Sequence, residues 1–409
     1  MSRLWNKLTD YFRQSQVSMT PTPRAAELLR RPGAIDCFPF TRPTAHTRYT
    51  FNGTVAINQL VEDLALTTGD RVLMPAYFCG SELGPFEHRG CMLDYYNVAA
   101  DLQLDLDSLR AALTADTKAV FITHYFGFPQ RDAAEVAALC DAHNAVLIED
   151  CAHALFSDDA GGPVGRHGTY AVFSPRKSLP LVDGGVLTSK SPLAGGAAWA
   201  SVRPPTLPVC DRLVYGLQQS ARSGHERGGA AWRRLGILAL TPVSIAIKLL
   251  RKLSPLSPSD WATADVEGPA AVPFYETRIS ALGLRGLSTS DAENVKATRR
   301  ENYSHWLEAA TSLKDCTPLL PSLPPGVCPL YFPLLVDNPA TLVKALAAEG
   351  IEAFYWWPHQ HPAVDWADYS HLADLKGRVI ALPVHQQLGK ATIARATALI
   401  QSARGADTP

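Results

Sequence analysis

A lysine, an aspartate and a histidine stand in this chain in settings that suit chemistry on a carbonyl cofactor. Lys177 lies in Phe173-Ser174-Pro175-Arg176-Lys177, and Gly184-Gly185 follows shortly after. Upstream, the hydrophobic run Ala145-Val146-Leu147-Ile148 ends in Glu149-Asp150 and continues as Cys151-Ala152-His153-Ala154. A lysine amine can form a Schiff base, and an aspartate can keep a pyridine nitrogen protonated so that the ring acts as an electron sink. One of each near a strand end, with a histidine close by, points to a pyridoxal phosphate (PLP) site.

Each of these residues also has a plainer role. A carboxylate closing a hydrophobic strand is costly unless paired. Asp150 finds that partner either in a pyridinium or, as a helix N-cap, in backbone N–H groups. His153 is either a hydrogen-bond partner for the cofactor's phenolic oxygen or a structural histidine, and Ala152 is small enough to let a flat ring lie against the backbone. Lys177 needs a lowered pKa to act as a nucleophile, which desolvation and the adjacent Arg176 would supply, although an isolated lysine is generally a solvated surface residue. Phosphate would go to Asn52-Gly53-Thr54, just ahead of a helical pattern, because a helix N-terminus offers free N–H groups and Gly allows close approach. The same three residues read equally as an ordinary cap through Asn52 or Thr54.

The elements that must position these residues alternate between strand and helix. Residues 55–64 put Ile57, Leu60, Val61 and Leu64 on one helical face. Short apolar runs follow at 71–77, 91–96, 119–126 and 146–150, with helical patterns at 106–113 and 132–143 between the later ones. Buried strands between helices predict an α/β fold with a mostly parallel sheet covered on both faces, whose ligands bind at the carboxyl ends of strands. Asp150 and His153 fall at such an end. Residues 191–269 break the rhythm: they are rich in Gly, Pro and Ser and carry an apolar core, 235–250, flanked or punctuated by Arg233, Arg234, Lys248, Arg251 and Lys252. Beyond it, Ser290-x-x-Glu293 reads as a capping box opening a helix to about residue 310. Strands at 331–336, 351–357 and 379–382, a helix ending at Gly350 and a closing helix at 390–403 complete a smaller C-terminal domain. The expected division is an N-terminal arm, 1–50, a large domain, 51–270, carrying the insertion, and a small domain, 271–409.

With 409 residues the chain has the length of two domains, and its 46% hydrophobic and 19% charged residues are those of a soluble globular protein. A net charge of -1 gives no global attraction to nucleic acid. The eight cysteines lack any metal-like spacing and read as reduced core residues of a cytoplasmic protein; no metal is expected. The first residues contain no continuous apolar stretch of a signal peptide and suggest an amphipathic arm with Leu4, Leu8 and Phe12 near helical spacing.

Several motifs in order resemble the DegT/DnrJ/EryC1/StrS group of PLP-dependent sugar aminotransferases, which have the aspartate-aminotransferase fold (fold type I). Asn52-Gly53-Thr54 resembles the phosphate-binding S-G-T, Gly69-Asp70-Arg71-Val72-Leu73-Met74-Pro75 is similar to G-D-E-V-I-x-P, and Thr117-Lys118-Ala119-Val120 with His124-Tyr125-Phe126-Gly127 looks like T-K-A-I…H-x-x-G. Glu149 to Ala154 resembles E-D-A-A-[HQ]-A, Lys177 with Asp183-Gly184-Gly185 resembles K…E-G-G, and Gly350-Ile351 and Leu382-Pro383-Val384-His385 resemble the G-I and L-P-x-H of the small domain. The resemblance covers about residues 52–189 and 278–403. It implies that Lys177 carries the cofactor and shuttles the proton, that Asp150 pairs with the pyridine nitrogen, and that His153 lies near the ring. It further implies that Gly53 and Thr54, with Ser174 and Arg176, hold phosphate, and that an aromatic from Tyr77-Phe78 stacks on the ring. Members are homodimers with shared sites, and Glu276-Thr277-Arg278-Ile279-Ser280 resembles the N-Y-R-M-S loop through which one subunit reaches the other's phosphate.

Two departures stand out. Aligned on Lys177, the family's serine falls on Val172, two residues before Ser174, and Glu276 replaces the usual asparagine. The expected reaction is transfer of an amino group from an amino acid, glutamate by analogy, to a keto group on a nucleotide-linked sugar. The alternatives are a PLP-dependent sugar dehydration or deoxygenation and a non-catalytic sensor that keeps the fold. The insertion has two readings: a buried helical hairpin over the dimer or substrate cleft, or a basic-flanked helix, 233–252, resting on a membrane as a peripheral contact.

Overall fold

The computed structural model describes residues 17–31, 33, 46–196, 199, 201–223, 229–253 and 275–405. Leu4, Leu8 and Phe12 lie outside the described residues. Nine strands precede the insertion: β1 (Thr47–Thr50), β2 (Arg71–Pro75), β3 (Met92–Tyr96), β4 (Thr117–Thr123), β5 (Val146–Asp150), a small hairpin of β6 (Asp158–Asp159) and β7 (Gly162–Pro163), then β8 (Tyr170–Phe173) and β9 (Gly185–Ser189). Seven of them form one sheet in the order β1-β9-β8-β5-β4-β2-β3. The pairs from β3 to β8 are parallel, and β9 runs against both β8 and β1. Thr47–Thr50 thus forms an edge of this sheet.

The alternation along the strands assigns the two faces. Ala119 and Phe121 of β4 pack with Ile57, Leu60 and Val61 of the helix Gly53–Asp63 on one face. Val120 and Ile122 pack with Val136 and Cys140 of the helix Ala133–Ala142 on the other. With both faces covered, the carboxyl ends of β2, β4, β5 and β8 open on one edge of the sheet.

The C-terminal part builds a second, antiparallel sheet from β10 (Cys316–Pro318), β11 (Tyr331–Val336), β12 (Phe354–Tyr355) and β13 (Val379–Pro383), in the order β10-β11-β13-β12. The helices Ala292–Ala310, Pro339–Ala348 and Lys390–Gly405 pack with it, and Trp306 stacks on Phe332 at 5.7 Å. Three expectations are corrected. The helix of residues 292–310 is capped by Asp291, whose carboxylate accepts from the Asn294 N–H at 3.0 Å, while Ser290 Oγ donates to the Gly286 carbonyl. The strand expected at 351–357 shortens to Phe354–Tyr355, because Trp357, at φ 52°, turns the chain. The run 119–126 ends at Thr123, since Tyr125–Gly127 forms a 3-10 turn with Phe126 at φ 54°.

The insertion is a hairpin of two long helices, Thr206–Ser223 and Gly229–Leu253. The second leaves one apolar side exposed. No helix among the described residues is long and apolar enough to cross a membrane. The cysteines among the described residues are all free thiols.

Candidate active site

Asn52 follows β1 and caps the next helix, its side chain accepting from the Val55 N–H at 2.9 Å. The N–H groups of Gly53 and Thr54 are left outside the helical ladder and carry the positive end of the helix dipole. Ser174 faces them: a Cβ placed on Gly53 would stand 3.5 Å from Ser174 Cβ and 3.8 Å from its Oγ. Val172, at the family's serine position, points into the core from β8. The polar role at this end falls to Ser174, the first residue past the strand. The glycine pair has its own reason. A Cβ on Gly185 would come within 2.1 Å of the Asn52 carbonyl oxygen, and the Gly184 N–H donates to the Phe51 carbonyl at 2.8 Å. The chain after Lys177 must therefore be bare to let the Asn52-Gly53 turn form.

Lys177 stands on the short helix Pro175–Ser178, and its Nζ is 3.0 Å from His153 Nε2. Burial, and then the charge of Lys177, hold the His153 imidazole well below its usual pKa. A neutral ring accepts from the lysine ammonium. Its Nδ1 is buried and has no partner among the described residues. The ring packs against the stacked pair Trp356 and Trp357, 5.4 Å from each. Asp150 ends β5, nearly covered, and one of its oxygens accepts from the Ala152 N–H at 2.9 Å. Burial pushes its carboxyl up to about 6, with Lys177 pulling down and Glu82 pushing up.

The layer beneath holds these groups in place. His124, just past β4, accepts from the Gln130 N–H on Nδ1, so Nε2 donates to Glu149 at 2.9 Å. Burial opposes ionisation of Glu149, but His124 and the N–H groups of Gly168 and Gly165 together hold its pKa down. Cys151 brings a third potential metal-ligand atom within 4.8 Å of these two. Its thiol is pushed far up by burial, and the Glu149 oxygens are already occupied, so the arrangement is a structural network. Arg299, from the C-terminal part, donates to the Ser178 carbonyl at 2.9 Å, as does Gln386 at 3.1 Å. The turn bearing Lys177 is thus tied to the small sheet's side of the molecule.

The remaining candidates separate. Tyr77 lies 5.5 Å from Trp357, which touches His153, so Tyr77 borders the site; its hydroxyl is buried and unpartnered among the described residues. Phe78 is stacked on Tyr95 within the core. Arg176 lines a cleft of about 580 Å³ against the insertion, together with Arg212, Tyr215 and Lys248. Arg278 is exposed and lines another cavity with Thr47, Arg48 and Trp199. Sequence reasoning missed Glu82, Cys79, Trp356, Trp357, Lys376 and Arg299. Glu82 is buried and accepts from the Cys79 N–H and thiol at 3.1 and 2.9 Å. Lys376 is a buried cation donating to the Phe78 carbonyl at 2.7 Å. The aromatic run Phe354-Tyr355-Trp356-Trp357 was the available signal for the tryptophans.

The sequence profile of the DegT/DnrJ/EryC1/StrS aminotransferase family matches residues 40–198, which contain Gly53, Asp150, His153 and Lys177. Among curated relatives, the GDP-perosamine synthase of Vibrio cholerae is 30% identical over 149 residues, 36% of this chain and 40% of that protein. The L-glutamine:2-deoxy-scyllo-inosose aminotransferase of Streptomyces kanamyceticus is 29% identical over 34% of this chain and 33% of its own. The match therefore spans well under half the length of these relatives. Solved structures extend the likeness in fold. The aminotransferase TlmJ of Streptoalloteichus hindustanus superposes with a TM-score of 0.60 at 18% identity, covering 89% of this chain and 87% of that one. A putative sugar aminotransferase of Streptococcus pneumoniae, in its PLP-form, superposes with 0.60 at 17% identity over 99% and 97%.

Proposed function

We propose that the chain is a PLP-dependent aminotransferase that moves an amino group from an amino acid, glutamate by family analogy, to a keto group on a nucleotide-linked sugar. The observation that carries this reading is the convergence of Lys177, His153 and Asp150 at the strand ends, on the same edge as the bare Gly53–Ser174 helix start. The residues present fit PLP. The gap over Gly53, which a Cβ would begin to fill, suits a phosphate, and the orphaned His153 Nδ1 suits a ring oxygen.

When bound, PLP supplies an electron sink that stabilises negative charge on the carbon being aminated. The protein does the rest. Lys177 would hold the cofactor, and its amine would carry a proton to and from the reacting carbon. Asp150, ionised once paired, keeps the pyridine nitrogen protonated. The Gly53 and Thr54 N–H groups and Ser174 Oγ anchor the phosphate. Trp356 and Trp357 shield His153 from water. The exposed position of Arg278, in a cavity apart from Lys177, supports a homodimer in which this loop serves the partner's site. The setting we assign is cytoplasmic biosynthesis of a polysaccharide, glycolipid or secondary metabolite.

The test is a half-reaction. PLP-loaded protein given glutamate or glutamine should release the matching 2-oxo acid in an amount equal to bound PLP, and turn over repeatedly only when a keto-sugar nucleotide is added. Turnover of a sugar nucleotide with no amino donor would contradict the assignment.

A further inference from the structure

The helix Gly229–Leu253 presents an apolar side that nothing in the described structure covers. Leu238, Val243, Ile245, Leu249 and Leu250 are 46–57% exposed, and they are five of the nine large hydrophobic side chains exposed among the described residues. Their spacing puts them on one side with Pro242 and Ala246, while Ile237 and Ile247 are buried. Thr241 Oγ1 bonds back to the Ile237 carbonyl at 2.7 Å beside Pro242, so the helix continues through the proline. The charge pattern indicates the occupant. Residues 229–253 contain no Asp or Glu, and carry Arg233 and Arg234 ahead of the apolar stripe, Lys248 within it, and Arg251 and Lys252 after it. A second copy docked through the same face would bring like charge against like across a two-fold axis. An anionic surface complements that charge.

We propose that this face lies along an anionic phospholipid bilayer, the apolar stripe entering the headgroup boundary and the flanking cations meeting lipid phosphates. A helix of 25 residues is about 37 Å long. One lying flat combines the two signals, apolar insertion and basic charge, that stable peripheral binding requires. The proposal does not depend on which substrate the enzyme uses.

The full-length protein is tested by flotation with phosphatidylcholine vesicles containing phosphatidylglycerol, against phosphatidylcholine alone. The expected result is flotation with the anionic vesicles only, weakened by high salt. The Lys252→Gln variant should bind about fivefold more weakly, as each cation near such a surface is worth about 1 kcal/mol. The double variant Ile245→Glu/Leu249→Glu should stay unbound while keeping the wild-type melting temperature and elution volume. Equal partition of wild type to both vesicle types would overturn the proposal, whatever the variants do. So would a fall in oligomeric mass in the double variant, which would assign the face to a second copy.

Discussion

Lys177 Nζ and His153 Nε2 are 3.0 Å apart, and the imidazole is the acceptor. The relationship holds the amine in place beside Asp150. Burial and the lysine charge keep His153 neutral across ordinary working pH, so no His153 inflection is expected in the rate profile between about pH 6 and 8. The variant His153→Phe should keep the cofactor but lower turnover about tenfold, the size of one lost hydrogen bond. Turnover at saturating PLP checks this; an unchanged rate would leave His153 a packing residue.

Asp150 should make cofactor affinity depend on acidity. Its folded carboxyl, pushed up to about 6, lies above an aspartate's usual 3.8. In the cofactor-free protein its contribution to stability is therefore full below about 3.8 and is lost as pH rises through about 6. Pairing with a pyridinium requires the ionised form, so PLP affinity should fall as pH drops below about 6. Asp150→Asn should bind weakly at every pH and lose this dependence. Equilibrium titration by cofactor absorbance measures both.

The phosphate cradle can be probed without disturbing the fold. Ser174→Ala should weaken PLP binding about three- to tenfold, the range of a neutral hydrogen bond. Gly53→Ala should weaken it more, because its methyl would stand 3.5 Å from Ser174 Cβ, in the space a phosphate would use. That contact is ordinary van der Waals packing, so the melting temperature should hold. Equal affinity in both variants would place the phosphate elsewhere.

Lys376 is a buried cation over the rings of Tyr77, Phe78, Trp357 and Trp366, at 4.9, 5.7, 5.9 and 5.3 Å. Burial lowers its pKa to about 8 from 10.5, against the pull of Glu82 and Cys79. Between those values the unfolded chain binds more protons, so the cost of burying the charge is relieved as pH rises from about 8 toward 10.5. Lys376→Met should destabilise the protein, since it strips the Phe78 carbonyl of its donor. Denaturation midpoints should show the wild type gaining on Lys376→Met over that pH interval.

The strand ends were legible because buried parallel strands leave a strong local pattern, and β5 carried its acid where a ligand would need it. Lys177 and His153 are 3.0 Å apart, and Asp150 closes β5. Ser174 was readable only as a candidate. Alignment on Lys177 selected Val172, but side chains alternate along β8, and the residue just past Phe173 is the one facing Gly53. Glu82, Trp356, Trp357 and Lys376 were hidden because long-range packing brings them together. The exposed face of Gly229–Leu253 was one of two readings left open, because an apolar pattern records periodicity, and burial depends on what covers it.

The most direct test of the account is borohydride reduction of the PLP-loaded protein followed by peptide mapping. The account predicts stoichiometric fixation of the cofactor to Lys177 and its loss in Lys177→Ala. A label on Lys376 or another lysine, or a protein that takes up no cofactor, would contradict it.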